Sequence, residues 1–175
     1  MTIRTRKEHD LLGERAIPDD LFYGIQTVRA LENFQITAVP ISRYTLFVRS
    51  LAFIKKAAAE TNCELGLLPP EIASAIGRAC DAILDGQHTD QFVVDMIQGG
   101  AGTSTNMNTN EVVANLALTS SGYDKGRYDI IHPNNHVNLS QSTNDVYPTA
   151  IRLALIFKIR TLVTAMDYLC KAFSE

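Results

Sequence analysis

The stretch STNDVYPTAIRLALIFKIRTLVTAMDYLCKAFSE, residues 142–175, decides the fold. It opens on polar residues and then places apolar ones at Val146, Ile151, Leu155, Ile159, Leu162, Met166, Leu169 and Phe173, with others between them. That pattern predicts a helix that is apolar around most of its circumference. No Gly or Pro stops it before Glu175, and at 1.5 Å per residue it reaches roughly 50 Å. A helix of this length belongs inside a large bundle, and the rest of the chain has little to pack on it. The expectation is that the chain is the N-terminal piece of something longer, or that it assembles with other chains.

Working back from that helix, Tyr123 to Ser140 reads as a polar connection with Gly126 and Pro133. A helix is expected from about Asn106 or Asn108 to Leu118, closed by Ser120-Ser-Gly122. Gly99, Gly100 and Gly102 break regular structure ahead of it, and residues 87–98 fit strand or helix equally, because neither period is sustained. Pro70 suits the first turn of a helix through Ile72, Ile76, Ala79, Cys80 and Ile83 that ends near Gly86. Ser42 can cap another from about Arg43 to Asn62, stopped by Gly66 and Pro69-Pro70. The first forty residues carry turn signals at Gly13, Pro18-Asp-Asp20, Gly24 and Pro40, so they read as an irregular segment lying over a core. The predicted class is all-α: a small helical N-terminal domain with an irregular N-terminal segment, residues 1–140, followed by the first long helix of a central helical bundle, residues 141–175.

Composition bounds the function. A hydrophobic fraction of 46% with 20% charged residues is that of an ordinary globular chain. The net charge of −3 and scattered Lys and Arg argue against nucleic acid, whose phosphates demand concentrated basic residues. The most apolar run, Leu153 to Phe157, is flanked by Arg152, Lys158 and Arg160 and falls far short of the ~20 residues that span a bilayer. Three cysteines, Cys63, Cys80 and Cys170, are odd in number and lack Cys-x-x-Cys spacing, which reads as reduced thiols in a cytoplasmic protein. No basic stretch with an apolar core marks the N-terminus as a secretory signal.

Standard cofactor and metal motifs are missing: no phosphate loop with its Lys, no dinucleotide fingerprint, no His-Glu-x-x-His. His132 and His136 stand four apart, but Pro133 argues against a helix that would pair them on a metal. What remains is two polar clusters, Gly99 to Val112 and His132 to Asp145, each just ahead of helix-like sequence. Helix starts offer unpaired N–H groups and partial positive charge, so added Ser, Thr and Asn side chains make a cradle for carboxylates. The competing reading is capping: Ser142-Thr-Asn-Asp145 and Asn108-Thr-Asn-Glu111 both fit a capping box. Capping needs one side chain per helix, however, and Thr103, Ser104, Thr105, Asn106, Asn108, Ser142, Thr143 and Asn144 exceed that need.

These words carry a resemblance. Gly102-Thr103-x-x-Asn106-Met107-Asn108-x-Asn110-Glu111-Val112, His132-Pro133-Asn134 and Ser140-Gln141-Ser142-Thr143-Asn144-Asp145-x-x-Pro148-Thr149 resemble the aspartase/fumarase superfamily. Asp10-Leu-Leu-Gly13, Ile17-Pro18, Tyr23-Gly24-Ile-Gln26-Thr27-x-Arg29-Ala30 and Glu32-Asn33-Phe34 extend the match over nearly the whole chain. These N-terminal words are closer to the ammonia-lyase branch than to the fumarases, which have Trp after the Tyr of the Tyr-Gly element.

The resemblance implies reversible anti elimination of ammonia from L-aspartate to fumarate, without a cofactor. It implies that Thr103, Ser142, Thr143 and Asn144 contact the substrate, with Thr103, Ser142 and Thr143 catalytic. The turn of His132 and Asn134 is similar to a second dicarboxylate-binding site of the fumarases, yet Asp129 stands where a basic residue is expected and Asn135 replaces an Asp; a purely structural turn is the competing reading. The family's Thr-His pair and mobile Gly-Ser-Ser loop have no match before Glu175, and family sites combine three subunits of a homotetramer. The chain alone is therefore expected to be inactive and to self-associate. A fumarase-like hydratase and a non-catalytic helical assembly module are the alternatives.

Overall fold

The computed structural model describes residues 4–174. It is built mainly from helices, in agreement with the all-α reading, but its N-terminal segment is not irregular. Strands β1 (Thr5–Asp10) and β2 (Gly13–Pro18) form an antiparallel hairpin, with Thr5 opposite Pro18 and Asp10 opposite Gly13. Helix α1 (Ile25–Asn33) follows. The hairpin lacks an alternating apolar pattern because its inward positions are filled by Glu8 as well as Ile17. Charged side chains, which no period analysis scores as core, anchor it instead. Arg6 bonds to Glu8 at 2.8 Å and to the Leu21 and Tyr23 carbonyls at 2.8 and 2.6 Å. Asp10 pairs with Arg29 of α1 at 2.6 Å.

Helix α2 (Thr45–Glu64) begins later than Ser42, and no side chain caps it. Ser42 lies in a 3-10 turn, Ile41–Arg43, whose first two N–H groups donate to the Val94 and Phe92 carbonyls at 3.0 Å each. That pairing holds Ile41 and Ser42 out of the helix and also resolves the segment 87–98. After a 3-10 turn at Thr89–Gln91 the segment runs extended, bridged at Pro40 and Asp95, and buries Phe92 and Val94.

Helix α3 (Pro70–Leu84) starts at the expected proline. Helix α4 (Thr103–Ser120) begins three residues earlier than Asn106 and is buried along most of its length. The core lies where α2, α3 and α4 meet, around Val48, Leu51, Ile76, Ile83, Val113 and Leu118. Between α4 and the last helix a single π-type turn, Pro133–Val137, spans the His132 to His136 stretch.

Helix α5 (Thr143–Ser174) confirms the long helix. Val146 and Ala150 are buried against the core. Farther along, Ile159, Leu162, Val163, Met166 and Leu169 are all exposed. No helix among the described residues is long and apolar enough to cross a membrane.

Candidate functional site

The two polar clusters meet. Gly102, buried and at φ +85°, turns the chain into α4, and a Cβ there would be driven into the ring of Tyr147 on α5. One turn into α4, Asn106 donates through Nδ2 to Thr143 Oγ1 at 3.2 Å. The start of α4 is thereby held against the start of α5. Thr103 is the first residue of α4 and is exposed; Ser142 and Asn144 are exposed and Thr143 is half-buried at the start of α5. The residues singled out from the sequence thus stand at the N-termini of two adjoining helices. Both ends offer N–H groups and positive dipole ends.

The capping readings need correction. Ser142 Oγ accepts from the Asn144 N–H at 3.2 Å, whereas the Asp145 N–H goes to the Ser142 carbonyl at 3.0 Å. The second predicted box lies inside α4 and caps nothing there. Its Glu111 reaches across to α1, where Oε2 accepts from the Gly24 and Thr27 N–H groups and the Thr27 hydroxyl at 2.9, 3.0 and 2.6 Å, and Oε1 from the Gln26 N–H at 2.8 Å. Gly24 is required there, since a Cβ would stand 2.6 Å from Glu8 Oε2 and 2.9 Å from Glu111 Cδ. Burial pushes the Glu111 carboxyl up to about 7 against the pull of those donors. The helix start is α4's own Thr103, and Gln98 serves it from the preceding loop, accepting from the Thr105 N–H at 3.0 Å.

The surplus of polar residues in α4 divides by burial. Asn108 accepts from the Val93 N–H at 3.1 Å and donates to the Gln91 carbonyl at 3.0 Å. Thr109 bonds back to the Thr105 carbonyl at 2.9 Å. Asn115 joins the Phe22 carbonyl and the Gly126 N–H at 2.8 Å each. Asn108 and Asn115 wire loops to the core, Thr109 bonds within its own helix, and none of the three is free for a ligand. The Oδ1 atoms of Asn106 and Asn110, one turn apart, are buried and find no partner among the described residues.

The His132 turn lies elsewhere, in a cavity lined also by Gln26, Met107, Glu111 and Tyr128. His132 Nδ1 accepts from the Asn134 and Asn135 N–H groups at 3.0 and 3.2 Å, and His136 Nδ1 from the His132 N–H at 2.9 Å. Burial holds both imidazoles below their ordinary value. Asp129, in place of a basic residue, pairs with Arg127 at 2.8 Å. Among the described residues no group of three or more His, Cys, Asp or Glu side chains is arranged to hold a metal.

Two contributors escaped the sequence reading. Lys55 of α2, fully buried, donates from Nζ to Asn138 Oδ1 at 2.8 Å and Gln141 Oε1 at 3.0 Å. Asn62, seven residues on and on the same face, donates to the Leu139 carbonyl at 2.9 Å. Both sit among the apolar positions of α2, which is the signal that could have found them.

A family model described as lyase matches residues 13–175. The aspartate ammonia-lyase of Helicobacter pylori is 54% identical over 170 residues, covering 97% of this chain and 36% of that protein. That of Escherichia coli is 50% identical over 176 residues, covering 100% of this chain and 37% of that protein. A solved fumarate lyase:delta crystallin from Brucella melitensis has a TM-score of 0.95 at 55% identity, covering 97% of this chain and 38% of that one. A class II fumarase from Schistosoma mansoni has a TM-score of 0.78 at 41% identity, covering 86% and 32%. The chain spans a little over a third of the length of the curated relatives it matches. Sharing sequence and backbone course with them, it belongs to the lyase family of aspartases and fumarases, whose N-terminal portion it matches.

Proposed function

We propose that the complete protein carrying this chain is an ammonia-lyase that interconverts L-aspartate with fumarate and ammonia, and that Thr103, Ser142, Thr143 and Asn144 grip the substrate carboxylate. The observation that carries this reading is the meeting of two helix N-termini through Asn106 and Thr143, with exposed hydroxyl and amide groups around them. The chemistry asks for such a place. Removing the proton beside a carboxylate creates a doubly negative ene-diolate, and preorganised donors aimed at that carboxylate stabilise the charge as it develops. Thr103, Ser142 and Thr143 supply hydroxyl donors and Asn144 an amide, without reorganisation at the moment of reaction. The general base and ammonia-handling groups belong to parts of the protein outside this chain, so residues 1–175 alone are inactive.

The exposed apolar residues of α5 support residues 141–175 as the opening of a central bundle shared between copies in a homotetramer, with residues 1–140 as a separate N-terminal domain. Free thiols at Cys63, Cys80 and Cys170 support a reducing, cytoplasmic location. At the His132 turn, the N–H groups that would receive an anion are already bonded to the imidazole, which favours a structural role for His132 and Asn134.

The test is turnover by the complete protein, followed by the ultraviolet absorbance of fumarate. Aspartate is expected to be consumed and malate not; the reverse preference makes the protein a hydratase, and turnover of neither makes it an assembly module. Thr143→Val is expected to lower kcat/KM by about 100-fold, the cost of one lost donor to a developing oxyanion. Fumarate formation by residues 1–175 alone would refute the missing-base reading.

A further inference from the structure

Lys55 puts an amine in the core, and burial lowers it to about 7, so near neutral pH ammonium and free amine are both populated and a carboxylate bound above it favours the ammonium. It is fully buried, and among the described residues no carboxylate lies within 4 Å of its Nζ. From α3 it is faced by the Cys80 thiol, which burial pushes up to about 12 and so keeps uncharged. A buried cation without a counter-ion is costly. Among the described residues it donates to Asn138 Oδ1 and Gln141 Oε1, both in the loop that leads into Ser142.

The consequence follows from which groups can donate. An ammonium donates and never accepts, so Asn138 and Gln141 must each turn the amide oxygen toward Lys55. Their nitrogens then face outward: Asn138 Nδ2 donates to the Gln141 carbonyl at 3.0 Å, and Gln141 Nε2 to the Val137 and Leu139 carbonyls at 3.0 and 3.1 Å. With Oδ1 fixed, Asn138 requires a donor from Asn106, whose Nδ2 lies 3.0 Å away. The same Nδ2 donates to Thr143 Oγ1. Thr143 accepts on its inner side, and its own O–H is left to donate outward.

Resting on the carboxylate reading of the cluster, we propose that Lys55 is a positioning residue of the anion site: through Asn138 and Asn106 it fixes the direction of the hydrogen bonds so that the Thr143 hydroxyl is presented as a donor to a carboxylate, and it supplies beneath the site a positive charge that a bound dicarboxylate answers. Lys55 touches no substrate. It acts by removing the alternative amide orientations, in which Thr143 would donate inward and offer a lone pair to the anion.

The test compares the complete wild-type protein with K55M, T143V and the double variant by calorimetric titration with fumarate and by thermal unfolding. K55M is expected to bind fumarate at least tenfold more weakly, the effect of losing a charge-assisted donor arrangement, with its unfolding midpoint not lowered in proportion. In the T143V background K55M is expected to add no further loss. Equal affinity of K55M and wild type, or fully additive losses, overturns the role of Lys55 while leaving the carboxylate reading intact. No fumarate binding by the wild type overturns both. Should K55M fail to fold, 15N-lysine NMR of the fumarate-saturated wild type decides: Lys55 must be an ammonium, and a neutral amine there overturns the proposal.

Discussion

Replacing Gly102 by Ala tests the junction on which the site stands. Gly102 is at φ +85°, where a side chain costs roughly 1–2 kcal/mol. The added Cβ also meets the Tyr147 ring, with the third-nearest ring atom still only 2.6 Å away, so the ring must move. Tyr147 packs edge-on against Phe47 of α2, centroids 5.5 Å apart and planes at 85°, and losing that contact adds roughly 0.5–1.5 kcal/mol. Together G102A is expected to destabilise the chain by about 1.5–3.5 kcal/mol. Urea unfolding of wild type, G102A, Y147A and the double variant separates the two parts. In the Y147A background only the backbone part remains, so G102A should cost roughly 1–2 kcal/mol there. An equal cost in both backgrounds would show that the ring is not in the way, and the clamp between α4 and α5 would be wrong.

Thr27→Val removes a buried 2.6 Å bond to Glu111 while keeping the side-chain shape, and should cost roughly 1.5–3 kcal/mol in urea unfolding; a change below about 0.5 kcal/mol would contradict the anchoring of α1 by Glu111. Burial raises Asp95, but the Thr37 hydroxyl and the Ile97, Thr37 and Ala38 N–H groups outweigh it and bring the carboxyl down to about 2. Because its folded pKa lies below the ordinary value, Asp95 stabilises the fold above about pH 4, and that contribution disappears as pH falls through about 2. The difference in unfolding midpoint between wild type and D95N should shrink between pH 5 and pH 2, and a constant difference would refute the assignment. Residues 1–175 should self-associate through α5; Leu162→Lys with Met166→Lys should lower the mass seen by light scattering, and a wild-type monomer at tens of micromolar would argue against pairing of that helix.

Helix α3 and the long helix α5 were legible because each follows a simple local rule, a proline at the first turn and a sustained apolar period. The hairpin was not, because Glu8 and Arg6 anchor it with hydrogen bonds that leave no mark on hydrophobic alternation. Ser42 looked like a cap, but its N–H is committed to Phe92, a partner fifty residues away that no local pattern reveals. The candidate site was legible as a vocabulary of donors at Thr103 and Ser142 to Asn144. Its inner wiring was not: Asn106, Asn138 and Lys55 acquire meaning only once α2, α4 and the loop before α5 meet. Glu111 was misread for the same reason, as a residue of its own helix when it serves another.

That service by Glu111 has a consequence for synthesis. The carboxylate that completes α1 lies 84 residues beyond Thr27. A ribosome adding about 5–20 residues per second leaves the start of α1 without its acceptor for roughly 4–17 s. Throughout that interval the hairpin and α1 have neither the acceptor nor the α4 surface against which they settle. The hairpin and α1 leave the ribosome before α4 and dock late, so until Glu111 is made they stay open to chaperones and proteases.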